Sequence, residues 1–174
     1  FLKGLADIAP TMVIAGNHDG NLKNSSRQDA ITPIVDALEH QNLFYFKGSG
    51  EFHVNDDLCF NVLSVFDEDN WVKPTSPKKI NIALYHGSIN NCLTDTGWKM
   101  EIGEHDLSIF DGHDYALLGD IHKCQTLDVD GRVRYAGSTI QQNHGESNDK
   151  GFLIWDIEDK DNFEVRHVEL KNPK

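Results

Sequence analysis

The stretch TMVIAGNHDG, residues 11–20, joins an apolar run to a polar turn with almost nothing between them. Met12–Ala15 reads as a short strand, Gly16 follows, and then come Asn17, His18 and Asp19. Three side chains able to bind a metal or move a proton therefore share one turn. A catalytic metal needs about three protein donors. A single turn rarely supplies them all, so partners are to be sought further along the chain.

Two later segments have the same design. KINIALYHG (residues 79–87) is an apolar run ending in His86, and YALLGDIH (residues 115–122) ends in Asp120 and His122. In open α/β sheets the C-terminal ends of strands line the ligand crevice, so three such ends can aim Asn17, His86, Asp120 and His122 at one point. Imidazole nitrogen combined with carboxylate and amide oxygen suits a borderline divalent ion such as Mn²⁺, Zn²⁺ or Fe²⁺. Gly16, Gly87 and Gly119 are expected to let the backbone turn sharply beside each ligand. Taken singly, each residue has a plainer reading: His86 as a buried histidine, Asn17 and Asp19 as turn formers, Asp120 as a cap. Their common placement after three apolar runs favours the shared site.

The 174 residues suffice for one domain with a real core. Apolar content of 39% and charged content of 25% are globular values. No apolar run reaches the length of a membrane helix and no signal peptide opens the chain. Three cysteines, Cys59, Cys92 and Cys124, without CxxC spacing, read as thiols of a reducing, cytoplasmic compartment rather than a disulfide framework. The net charge of −12 disfavours strong binding of DNA by this chain alone, because phosphate neutralisation calls for a basic face. Nine histidines tilt the composition toward metal.

Around the three turns the pattern mixes βα units with hairpins. Residues 1–9 read as the end of a helix stopped by Pro10. Thr32 is expected to cap a second helix with Pro33 at its first position. LFYF, EFHV and LCFNVLSVF, between residues 43 and 66, read as strands with a turn at residues 55–57. A short helix is expected near residues 105–110 and a hairpin with Asp130-Gly131 at its tip. GFLIWDI and FEVRHVEL form the last two strands. Trp155 sits in an apolar strand and reads as core, whereas Trp71 and Trp98, in polar loops, are open to stacking roles. The expected fold class is α/β, with packed mixed sheets flanked by helices.

GNHD, a strand ending in HG, and GDIH, in that order, resemble the late motifs of the calcineurin-like metallophosphoesterases. The tail, YALLGDIHKCQ followed by VRYAGSTIQQNHGE and KGFLIWDI, is similar to the SbcD-type DNA repair nuclease subunit and its phage relatives. The likeness runs from residue 11 to about residue 170. It implies a single, partial metallophosphoesterase sandwich of two sheets over residues 1–174. It also implies phosphodiester hydrolysis, with DNA as the expected substrate and repair or recombination as the setting. By this resemblance Asn17, His86 and Asp120 would bind one divalent ion and His122 the other, with Mn²⁺ expected and Zn²⁺, Fe²⁺ or Mg²⁺ as alternatives. His18 would face the scissile phosphate as the catalytic group, with Asp19 orienting it.

The family pattern has His where this chain has Asp120, which should tune a metal site rather than destroy it. The family's DxH and GDxxD motifs are absent before residue 16. The chain is therefore expected to be a poor nuclease by itself, with an open sheet edge beside residues 11–15. Implied partners are DNA, a coiled-coil ATPase of SbcC type, and a second copy of the chain across that edge. The alternative functions are a phosphatase or phosphodiesterase acting on a small molecule or phosphoprotein, and a catalytically inert module that docks a partner.

Overall fold

Helix α1 (Leu2–Ala6) gives way to a turn before Pro10, and the chain then extends into β1 (Thr11–Ile14). These elements belong to a computed structural model that describes residues 1–171. Next come α2 (Thr32–Leu38), β2 (Leu43–Phe46), β3 (Gly50–His53), β4 (Leu58–Leu63) and β5 (Ile80–His86). They are followed by β6 (Cys92–Leu93), β7 (Lys99–Met100), β8 (Tyr115–Gly119), β9 (Gln125–Thr126) and β10 (Val133–Tyr135). A hairpin of β11 (Gly151–Ile157) and β12 (Phe163–Glu169) completes the order.

Six strands form one sheet in the order β3-β4-β5-β8-β10-β9. Its four central strands, β4, β5, β8 and β10, run parallel, while β3 and β9 add antiparallel edges. Strand β5 lies inside the sheet and reads INIALYH, a nearly unbroken apolar run, as a parallel strand covered on both faces requires. Around it Ala83, Tyr85, Ala116, Leu118, Phe110 and Tyr135 form the core. β1 and β2 make a separate parallel pair. Among the described residues β2 is the only ladder partner of β1, so the other edge of β1 carries no strand. The two sheets meet where the Phe46 and Phe52 rings lie 3.8 Å apart between centroids. Residues of both also line an open apolar groove of about 1020 Å³, among them Met12, Phe44, Phe60 and Leu84. The β11–β12 hairpin is held by Trp155 and Phe163 against Tyr115.

The α/β class and mixed sheets match expectation, with less helix than the sequence suggested. Among the described residues the α-helices are five and seven residues long, and the segment near residue 107 is a 3-10 turn, Leu107–Phe110. Among these residues no helix is long and apolar enough to cross a membrane. Cys59 and Cys92 are buried free thiols and Cys124 is an exposed one.

The cap of α2 differs from the sequence reading. Thr32 is already helical, and the orphan N–H groups are met by buried Asp29, whose carboxylate accepts from the N–H groups of Ile31 and Thr32 and from the Thr32 hydroxyl. An aspartate three residues upstream reaches these donors where a threonine at the first turn cannot. Burial pushes the Asp29 carboxyl up, but these hydrogen bonds outweigh it and hold the pKa well below the aspartate value of 3.8. A depressed folded pKa means the contribution is complete above about pH 4 and drains away as the pH falls below that. Asp29→Ala is expected to cost about 2–3 kcal/mol at pH 7, from a lost cap and unmet donors. The deficit should narrow as the pH drops below 4. Urea titrations at pH 7 and pH 3 measure both, and a constant deficit would show that Asp29 is not the titrating cap.

Candidate metal centre

The register of β5 with β8 sets the site. His86 pairs with Gly119, so the next residue, Asp120, emerges beside the imidazole. Nε2 of His86 lies 3.6 Å from Oδ1 of Asp120. The end of β1 brings Asn17 to the same place, with its Nδ2 3.3 Å from the same Asp120 oxygen. Asn17, His86 and Asp120 thus come together from three strand ends that are far apart in sequence.

The glycines have a different task from the one expected. None of Gly16, Gly87 and Gly119 has a positive φ. Gly16 and Gly119 instead flank the imidazole: a Cβ on Gly16 would lie 2.7 Å from Nε2 of His86, and one on Gly119 would lie 2.9 Å from Nδ1. The left-handed backbone falls on Asp120, with φ 91°. A non-glycine residue there stores about 1–3 kcal/mol of strain and persists only where surrounding structure imposes it. Gly16→Ala should therefore displace His86. The expected result is at least a ten-fold loss of Mn²⁺ affinity and about 1–3 kcal/mol of overpacking. Calorimetric titration and thermal melts would expose an unchanged affinity, which would mean that the ring position is irrelevant to binding.

Electrostatics keep the cluster competent for a cation. Burial lowers the His86 pKa more than the Asp120 charge raises it, so the ring is neutral and keeps a lone pair at pH 7. Oδ1 of Asn17 is buried and, among the described residues, has no hydrogen-bond partner. An amide oxygen in that state is costly unless something accepts its lone pairs. Asn17 already approaches Asp120 through its amide nitrogen, and its oxygen, with the imidazole and the carboxylate, would complete a three-donor set of the kind that suits one divalent ion. Beyond His86 the chain is pinned by Tyr135, whose hydroxyl donates to Gly87 O at 2.6 Å and accepts from the Ile89 N–H. The Ser88 N–H donates to Glu104.

His18 is exposed on the same turn as Asn17. Asp19 accepts from the Gly16 N–H at 2.8 Å and so closes the turn; among the described residues no hydrogen bond joins it to His18. His122 lies two residues past Asp120, and both line a cleft of about 190 Å³ with Asp95, Asn143 and Glu146. Its Nδ1 is 2.9 Å from Oε1 of Glu146. Trp71 is engaged through its indole N–H with Ser64 O, whereas Trp98 is exposed.

Asp95, His122 and Glu146 bring three ligand atoms within 4.8 Å of one another, a second group able to hold a metal. A cation of the protein's own already sits there. The buried Lys150 ammonium is 2.9 Å from Asp95, 2.9 Å from Glu146 and 3.0 Å from the His122 carbonyl. Burial raises the Glu146 pKa, but donors from Gln142, His122 and Lys150 outweigh that and bring it to about 2. A metal would have to displace the lysine, so this group reads as support for His122. None of Asp95, Glu146 and Lys150 was singled out from sequence as a site residue. Glu146 and Lys150 lie in the NHGE and KGF segments, which were the available signal.

No family model matches the chain. The chain is similar to Uncharacterized protein R555 of Acanthamoeba polyphaga mimivirus, at 39% identity over 181 aligned residues. The match covers 96% of this chain and 13% of that protein, so the chain spans a small part of the length of the relative it matches.

Proposed function

We propose that the chain carries part of a metal-dependent phosphodiesterase centre, of the calcineurin-like class and the SbcD nuclease type, acting on DNA. The observation that carries this reading is the convergence of Asn17, His86 and Asp120, with the Asn17 amide oxygen buried and, among the described residues, unpartnered. Asn17, His86 and Asp120 would hold one divalent ion, Mn²⁺ by preference, and His122 would contribute to a second. Bound ions of this kind activate water and neutralise phosphoryl charge. The protein's own groups do the rest. His18, exposed on the turn that carries Asn17, would hydrogen-bond a phosphoryl oxygen and protonate a leaving oxygen. Asp19 holds the turn that presents His18. The three strand ends keep the donors fixed, which orients the substrate phosphate without reorganisation.

The net charge of −12 favours a second reading, a phosphoesterase for a small molecule or phosphoprotein, because nothing in that balance draws in a polyanion. In the DNA reading a partner, such as a coiled-coil ATPase, supplies the basic surface. The test begins with Mn²⁺ titration of the chain, where one site lost in His86→Ala is expected. Absence of binding at millimolar Mn²⁺ removes the proposal. A cleavage screen of DNA beside nucleotide and phosphoprotein substrates then separates the readings. Weak cleavage of DNA with none of the others supports the nuclease, and the reverse supports the alternative.

A further inference from the structure

The hydrogen bonds around Glu146 leave little freedom at His122. The Glu146 side chain is 1% exposed. Its Oε1 faces His122 Nδ1 and the Asn143 amide nitrogen, and its Oε2 faces the Gln142 N–H and the Lys150 ammonium. A backbone N–H and an ammonium can only donate, so the carboxylate acts as acceptor on every side. The nitrogen that faces it must then be a donor too. Neutral imidazole carries one N–H, and with that proton on Nδ1 the lone pair belongs to Nε2.

Lys150 makes the arrangement rigid. Its three donors are all used, by Asp95, by Glu146 and by the backbone carbonyl of His122. One ammonium thus grips both the group that orients the imidazole and the backbone that carries it. Asp95 supplies the second negative charge, at 8% exposure. The His122 side chain is 44% exposed while Glu146, which faces its Nδ1, is 1% exposed, so the ring is tied to the interior through Nδ1.

We propose that Glu146, locked by Lys150, is a positioning residue that holds His122 as the Nδ1–H tautomer and so reserves its Nε2 for a metal ion. Asp95, Glu146 and Lys150 are then the fixed base of one ligand rather than a separate metal site. The donor role of Nε2 rests on the metal-centre reading above; the tautomer does not.

The test uses the 174-residue chain, labelled with ¹⁵N and free of metal, at pH 8. Long-range proton–nitrogen correlation spectra distinguish a protonated Nδ1 from a protonated Nε2, and His122→Gln identifies the signals by their loss. Expected is an Nδ1–H tautomer at His122. An Nε2–H tautomer, or an even mixture, overturns the proposal without any variant being needed. Glu146→Ala should release the tautomer and weaken Mn²⁺ binding about 10–100-fold. Glu146→Gln, whose amide oxygen still accepts from Nδ1–H, should restore the tautomer and part of the affinity. A purely structural role for Glu146 would lower thermal stability in both variants and leave the tautomer unmoved, and that result also overturns the proposal. If the tautomer is as expected and the wild-type chain binds no Mn²⁺, the metal-centre reading fails and the donor role fails with it.

Discussion

Lys150→Met should lower the midpoint of thermal unfolding by roughly 6–20 °C. The wild-type ammonium makes three hydrogen bonds and is 2% exposed. Its removal leaves Asp95 and Glu146 facing one another, with side chains 8% and 1% exposed and no cation between them. Breaking a buried ion pair from one side costs about 3–5 kcal/mol, because the remaining charge stays desolvated. In a domain of this size each kcal/mol moves the midpoint by about 2–4 °C. The pH dependence adds a second check. Glu146 is held at about 2, below its ordinary 4.5, so its contribution in the wild type is complete above pH 4.5 and lost as the pH falls through 2. Removing Lys150 removes one of the causes of that depression. The deficit of the variant should therefore be largest at neutral pH and smaller near pH 3. Calorimetry at both values measures it, and a shift under about 3 °C at pH 7 would mean that the carboxylates find other compensation.

Asp120→Gly should separate stability from metal binding. With φ 91°, Asp120 occupies backbone space that glycine enters freely. Relief of about 1–3 kcal/mol of strain, less the extra chain entropy of glycine in the unfolded state, leaves a net gain of roughly 1 kcal/mol. The carboxylate is lost in the same step, and it is the group that both Asn17 and His86 approach. Mn²⁺ affinity should fall at least about 100-fold. Asp120→Ala should lose the affinity without the gain, and Asp120→His should keep the affinity, since imidazole is an alternative donor. Urea unfolding and calorimetric titration of the four proteins give the two quantities separately. Equal Mn²⁺ affinity in all four would show that position 120 is not a ligand, and unchanged stability in the glycine variant would show that the strain is absent.

Much of the strand pattern was legible because its signals are local. INIALYH declares a buried parallel strand by being apolar over most of its length, and Asp130-Gly131 announces its own turn, with Gly131 at φ 77°. The cap of α2 falls on Asp29 rather than on Thr32 although its signal is also local. Thr32 and Asp29 are both cap formers, and only the backbone path decides which reaches the free N–H groups. Of the glycines after the three apolar runs, Gly16 and Gly119 make room for the His86 ring, and none of the three turns the backbone into the left-handed region. A glycine that relaxes a turn and a glycine that makes room for a ring are identical in sequence. Only the position of His86 between Gly16 and Gly119 distinguishes them.

The sequence alone determined where each candidate donor sits along its strand. The end of an apolar run is the end of the strand: His86 is the last residue of β5, Asp120 follows β8 directly, and Asn17 lies just beyond β1 after Ala15 and Gly16. What the tertiary structure decided is which of these ends meet. The pairing of His86 with Gly119 places Asp120 beside the imidazole, and a slip of one residue would send the same side chains to opposite faces of the sheet. It also decided how His122 is held. Asp95 and Lys150 are separated by 55 positions, and their ion pair forms only when the chain brings them together around Glu146. No periodicity or turn signal carries that information, because an ion pair depends on distance in space while propensity acts only over neighbours along the chain.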